Sequence, residues 1–283
     1  MKVGTFGGIG VYIHWTFWVL IAVYLLSATS ANGLAAGLYA VAFVLSIFVC
    51  VVLHEFGHAG AAAAFGIPTS DITLLPIGGV ARLARLPERP YQELIIAIAG
   101  PAVNVVIAGL LLFPVMFGVI IGGSAPVVGS GMDFLAQLLA ANIVLVVFNM
   151  LPAFPMDGGR VLRSLLAMRT SYLRATEIAA KIGRWMALLF GIMGIVYGQF
   201  GLMLVALFIF LAGTAELMGV RMRAMSDQFG GPAAAARPFS QSWQQHVWPQ
   251  QGTTYRWTSG QSHPMSQEDV IDAVEVKRLP PRP

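Results

Sequence analysis

Residues 34–53 form a stretch of twenty amino acids without a single charge. As a helix it would rise about 30 Å, the thickness of the hydrocarbon core of a bilayer. Such a run fits a membrane span or the buried centre of an all-α soluble protein. Composition and charge placement separate the two. Of 283 residues, 57% are hydrophobic and only 11% are charged, whereas soluble domains carry about 25% charged residues. Five more apolar segments accompany the first, at about residues 11–28, 94–121, 134–151, 185–197 and 202–220. The last two are separated by Gly198-Gln199-Phe200-Gly201 and read as a helical hairpin. The earliest opens with His14, Trp15 and Trp18, aromatic side chains suited to a membrane interface. No small-residue cleavage site follows it, so it reads as a retained span or signal anchor.

The basic residues all fall on one side of the resulting six-span scheme. Loops after spans one, three and five carry no lysine or arginine. Arg82, Arg85 and Arg89 follow span two, and Arg160, Arg163, Arg169, Arg174, Lys181 and Arg184 follow span four. Arg221 and Arg223 follow span six, and Lys2 precedes span one. By the positive-inside rule that side is cytoplasmic and holds both termini. A soluble helical core predicts no such alternation. The expected fold is an all-α polytopic membrane protein with about six transmembrane helices, its six-span domain covering residues 1–225. From Ser226 onward Gln, Ser, Pro and Ala dominate without a lasting period. Residues 226–283 therefore read as a mostly disordered cytoplasmic tail, in which residues 270–276 are compatible with a strand or a partner-binding segment. The single cysteine, Cys50, rules out an internal disulfide framework.

Span two continues into HEFGH at residues 54–58 and an alanine run to about Phe65. Ionisable groups inside a span are costly and point to function by default. His54 and His58, four residues apart, lie on one face of a helix. This is the HExxH arrangement, in which two neutral imidazoles hold zinc and the intervening carboxylate, Glu55, acts as general base on water. The competing reading is a chance pair satisfied structurally. Gly57 and Ala59–Ala64 are small and would let neighbouring helices approach. By contrast, His14 reads as an interfacial side chain and His246 and His263 as solvated ones.

A catalytic zinc takes three protein ligands, and nothing suitable follows His58 closely. One candidate is Asp157, in the stretch NMLPAFPMDGGR that ends span four. Pro152 and Pro155 break the helix there and Gly158-Gly159 let the backbone turn. An ordinary helix end with Asp157 as N-cap of the next helix is the alternative. Spans two and four both run toward the basic side, so a zinc site of His54, His58 and Asp157 is geometrically possible.

With HEFGH at 54–58, AGPAVN at 99–104 and NMLPAFPMDGGR at 149–160, the chain resembles the site-2 protease family of intramembrane zinc metalloproteases over about residues 10–220. The resemblance implies one zinc per chain, held by His54, His58 and Asp157, with Glu55 as the base. It implies cleavage of a peptide bond within or beside a substrate's transmembrane helix. Residues 69–83, TSDITLLPIGGVARL, resemble the family's membrane-associated β-hairpin around Gly78 and Gly79. An exposed edge there would pair with an unwound substrate; a plain cytoplasmic loop is the other reading. Asn104 and Asn149 lie near the site in the family's pattern, where they would hold substrate backbone or oxyanion; interhelical hydrogen bonding accounts for them equally. Glu93 is expected to favour the N-terminal dipole of span three. The loops are too short for a PDZ domain and the tail too short for a CBS pair.

The expected activity is thus a zinc-dependent intramembrane endopeptidase in a prokaryotic cell membrane, acting on transmembrane protein substrates in the lipid bilayer, with no nucleic-acid partner. Oligomeric state is left open. A metal-binding transporter or a non-cleaving membrane adaptor built on the same helices is the alternative.

Overall fold

The computed structural model of the chain describes residues 1–76, 78–85, 87, 89–122, 131–228, 255–258 and 261–264. They fall into two units, Met1–Phe239 and Ser240–Pro283. The first unit holds helices α1 (Trp15–Asn32), α2 (Leu34–Ala64), α3 (Pro90–Gly122), α4 (Gly131–Asn149), α5 (Asp157–Ala167), α6 (Tyr172–Val196) and α7 (Phe200–Gln228). All but α5 are long and apolar enough to cross a membrane, so six spans are present among the described residues. Their outer faces carry Leu110, Phe113, Ile120, Ile195 and Val196, each at least 70% exposed. In water such a surface would aggregate, and a bilayer gives it an apolar surround.

Residues 11–13, expected within the first span, belong instead to a sheet. Strands β1 (Lys2–Phe6), β2 (Ile9–Ile13), β3 (Thr69–Leu75) and β4 (Gly78–Leu83) lie in that order. The β2–β3 pair is parallel and the other two are antiparallel. Gly7 and Gly8 turn the chain between β1 and β2 with φ of 57° and 83°, the sign that a tight two-residue hairpin turn needs. The hairpin expected at residues 69–83 is therefore the outer half of a four-stranded sheet. Val11 and Ile13 are as apolar as a span requires. Only their pairing with Ile72 and Leu74, about sixty residues later, makes them a strand. A parallel pair needs a long crossover, and α1 and α2 supply it.

One face of the sheet closes against the first two helices. Leu74 packs with Phe17, Val44 and Phe48, and the rings of Phe17 and Phe48 meet edge to face at 4.5 Å. His14 caps α1, its ring accepting the Thr16 N–H. Gly33, at φ 85°, joins α1 to α2.

The last two spans form the expected hairpin, with Gly198 at φ 63° in the turn. Both are longer at the basic end than apolar counting suggests. α6 starts at Tyr172, where the Ser171 hydroxyl accepts the Arg174 N–H. Charges end an apolar count without ending a helix. Ala175, Ala179, Gly183 and Ala187 recur at every fourth position on the buried face of α6, a small-residue stripe that permits close approach.

In the second unit, β5 (Tyr255–Thr258) and β6 (Gln261–Pro264) form an antiparallel hairpin, an element that composition did not indicate. The possible strand at residues 270–276 lies outside the described residues.

Candidate metal centre

α2 is 31 residues long, about 46 Å of helix and more than a bilayer core requires. Its charge-free first twenty residues place His54 about 30 Å from the helix start. One further turn brings His58 onto the same face, and the two rings stand edge to face at 4.7 Å. The third group arrives from the break after α4. There the backbone stays hydrogen-bonded through tight turns, Ala153 N–H to Leu151 O and Met156 N–H to Ala153 O. Ala153 and Met156 pack against Ala187 and Ile209. Asp157 then opens α5.

Gly158 and Gly159 are steric requirements of this turn. A Cβ on Gly158 would lie 2.3 Å from Leu151 O, and one on Gly159 2.7 Å from the Ala153 carbonyl carbon. Any side chain would push the loop, and Asp157 with it, off α2.

The result is a triangle of ligand atoms. His54 Nε2 and His58 Nε2 lie 3.1 Å apart, and each is 3.2 Å from Asp157 Oδ2. All three residues are buried. Zinc bonds of about 2.0–2.1 Å imply tetrahedral edges of about 3.3 Å, so the triangle matches one face of a zinc tetrahedron. The proton inventory points the same way. His54 Nδ1 donates to Asn104 Oδ1 at 2.6 Å and His58 Nδ1 donates to Ile96 O at 2.6 Å. Both Nε2 atoms then turn lone pairs toward the carboxylate. Three acceptors converge without a donor among them, and a cation resolves that repulsion.

α3 supplies the wall of the site. Gly100 stands where a Cβ would fall 2.3 Å from His58 Nε2 and 2.7 Å from His54 Nε2. Only glycine leaves the metal position open. Gly57 of α2 has the same relation to α3, its missing Cβ lying 2.6 Å from Ala99 O. The residues of AGPAVN thus carry a steric role that spacing alone did not reveal.

Glu55 is buried, and its carboxylate makes no hydrogen bond or ion pair with a described group. A carboxylate so placed is costly unless water or a ligand reaches it. Gly79, near the start of the outermost strand β4, packs directly on it; a Cβ there would come within 2.6 Å of Glu55 Cγ. Gly78, beside it, has φ 139°. Asn104 is fully buried, with its amide engaged at one end by His54 and at the other by Asn142. Asn149 ends α4, half-buried, and its side chain bonds no described group.

A second buried cluster fixes α5. Arg163, one and a half turns after Asp157, is 3% exposed. It donates through Nε to Glu93 Oε1 at 3.0 Å, through Nη2 to the same oxygen, and through Nη1 to Glu216 Oε1 at 2.5 Å. Its guanidinium also lies 4.9 Å from the ring centres of Phe154 and Tyr172. Burial alone would lower its pKa, but Glu93, Tyr172 and Glu216 hold it above the ordinary arginine value. Glu93, expected only to favour the helix dipole, is thus a buried partner joining α3 to α5, while Glu216 adds α7. The sequence held a signal for this cluster: two carboxylates in otherwise apolar segments need a partner.

Known proteins share these features. Residues 42–122 and 116–190 match the family model described as Peptidase family M50. Zinc metalloprotease MJ0392 of Methanocaldococcus jannaschii is 38% identical over 74% of this chain. Stage IV sporulation protein FB of Bacillus subtilis is 25% identical over 64% of it. The chain spans 58% and 56% of the lengths of these two relatives. The solved structure of a site-2 protease from Methanocaldococcus jannaschii superimposes with a TM-score of 0.55 at 35% identity. That alignment covers 76% of this chain and 93% of the solved one.

Proposed function

Because the chain belongs to Peptidase family M50, the site-2 proteases, we propose that it is a zinc-dependent intramembrane endopeptidase, with His54, His58 and Asp157 as ligands and Glu55 as general base. The observation that carries this reading is the triangle of three lone-pair donors with edges of 3.1–3.2 Å, one helical residue from a carboxylate that bonds no described group. Zinc bound there supplies Lewis acidity that makes water nucleophilic near neutral pH. Glu55 takes the proton of the attacking water and returns it to the leaving amine. With no hydrogen bond or ion pair to a described group, both of its oxygens are available for that transfer.

Substrates are membrane-anchored proteins whose transmembrane helix unwinds at the site, because a helical peptide bond is closed off by its own hydrogen bonds. The free edge of β4 pairs with the unwound segment, and Gly79 against Glu55 lets that segment run beside the base. Asn149, whose side chain bonds no described group, is the amide we assign to substrate backbone or oxyanion. Asn104, closed off at both ends, is assigned to holding His54. The basic side is cytoplasmic, so both termini and the site face the cytoplasm of a prokaryotic cell. Cleavage releases cytosolic regulators or clears signal-peptide remnants.

Purified protein should bind about one zinc per chain and cut a membrane-embedded model substrate. Glu55→Gln should keep the zinc and lose cleavage by about a hundredfold or more. Retained cleavage in that variant would sink the mechanism.

A further inference from the structure

Behind His54, away from the three ligand atoms, a line of buried polar groups crosses three helices. His54 Nδ1 faces Asn104 Oδ1 at 2.6 Å. Asn104 Nδ2 donates to Asn142 Oδ1 at 2.9 Å. Asn142 Nδ2 donates to the Leu138 carbonyl at 2.9 Å and points at Cys50 Sγ at 3.4 Å. Both asparagines are 0% exposed. Nothing in the zinc chemistry uses Asn142, yet an amide is expensive in that place unless every atom is satisfied.

The line has one direction, and its far end sets it. A backbone carbonyl only accepts. The Asn142 NH2 must therefore face Leu138, which turns Asn142 Oδ1 toward Asn104. Asn104 must answer with its own NH2, which turns its Oδ1 toward His54. Facing an acceptor, His54 must carry its proton on Nδ1, and Nε2 is left as the lone pair among the ligands. We infer that Asn142 is a positioning residue: through Asn104 it transmits the polarity of a carbonyl in α4 to the tautomer of a metal ligand in α2. This rests on the proposed zinc site, and it goes beyond it by assigning a role to a residue one helix removed from the ligands. Cys50, a weak acceptor beside a stronger carbonyl, is not needed for it.

The test uses the full chain in detergent micelles, as wild type and as Asn142→Leu, Asn142→Asp and Cys50→Ala. Zinc affinity is read by competition with a chelator. The His54 tautomer is read in metal-free protein from ring-nitrogen NMR shifts, assigned by their loss in His54→Gln. Asn142→Leu should weaken zinc binding about 10- to 100-fold and give His54 a mixture of tautomers. Asn142→Asp, protonated when buried, donates to Leu138 and accepts from Asn104. It should restore the Nδ1–H tautomer and wild-type affinity to within about threefold, and Cys50→Ala should match wild type. An unchanged tautomer in folded Asn142→Leu would overturn the inference, as would failure of Asn142→Asp to rescue. If wild type binds no zinc, the metal reading fails, and the tautomer measurement still decides the role of Asn142.

Discussion

Two glycines divide the chemistry at the scale of single residues. Gly100 keeps space beside both Nε2 atoms, and Gly79 keeps space beside Glu55. Gly100→Ala places a methyl against the Nε2 atoms of His54 and His58, the proposed zinc ligands. Metal analysis of the purified variant should find well under one zinc per chain, while its helix content by circular dichroism stays at wild type. Gly79→Ala displaces Glu55, the proposed base, and leaves the proposed ligands alone. It should retain zinc and lose kcat, a separation visible by measuring both quantities on one preparation. Equal effects of the two substitutions on metal content would contradict this division. That His54 and His58 share one helix face was legible in the sequence because their spacing is local, one turn of one helix. The glycines were not, because their necessity depends on what lies across the gap.

Among the elements, α5 links the site to the bundle. It begins with Asp157, and near its middle it is held by Arg163 between Glu93 of α3 and Glu216 of α7. Removing one partner of a buried ion cluster leaves uncompensated charge and costs about 3–5 kcal/mol. Arg163→Leu should therefore lower the unfolding midpoint in micelles and weaken zinc retention, since Asp157 loses its anchor. Replacing all three groups by apolar residues of similar volume should restore much of the stability. A variant Arg163→Leu with unchanged midpoint would remove the cluster from any structural role. Element boundaries follow the same logic. α2 was read nearly to its last residue because its period and length are its own. β1 and β2 were not, because a short apolar strand and the start of an apolar helix look alike until a partner strand is present.

For the whole molecule, the alternation of arginines predicts which ends of the helices share a compartment. Cys50 is the single cysteine and is buried, so introduced cysteines report without background. In intact cells and inverted vesicles, Arg85→Cys should label only from the cytoplasmic side and Gln199→Cys only from the opposite one. Labelling of both from one side would overturn the six-span orientation. The same topology brings α2 and α5 together at one end of the bundle, where HEFGH and Asp157 meet although 99 positions separate His58 from Asp157.

The sequence by itself determined the six apolar spans and the pairing of two histidines on one helix face, because length, apolarity and helical spacing act within a segment. Only the tertiary structure decided that three acceptors close into a triangle, that Gly100 and Gly79 must lack side chains, and that Arg163 anchors the helix carrying Asp157. It also decided that residues 11–13 pair with β3 and that Asn104 faces His54. Each of these depends on distance between groups far apart in the chain, and a residue carries no mark of the neighbour that folding will bring within 3 Å of it.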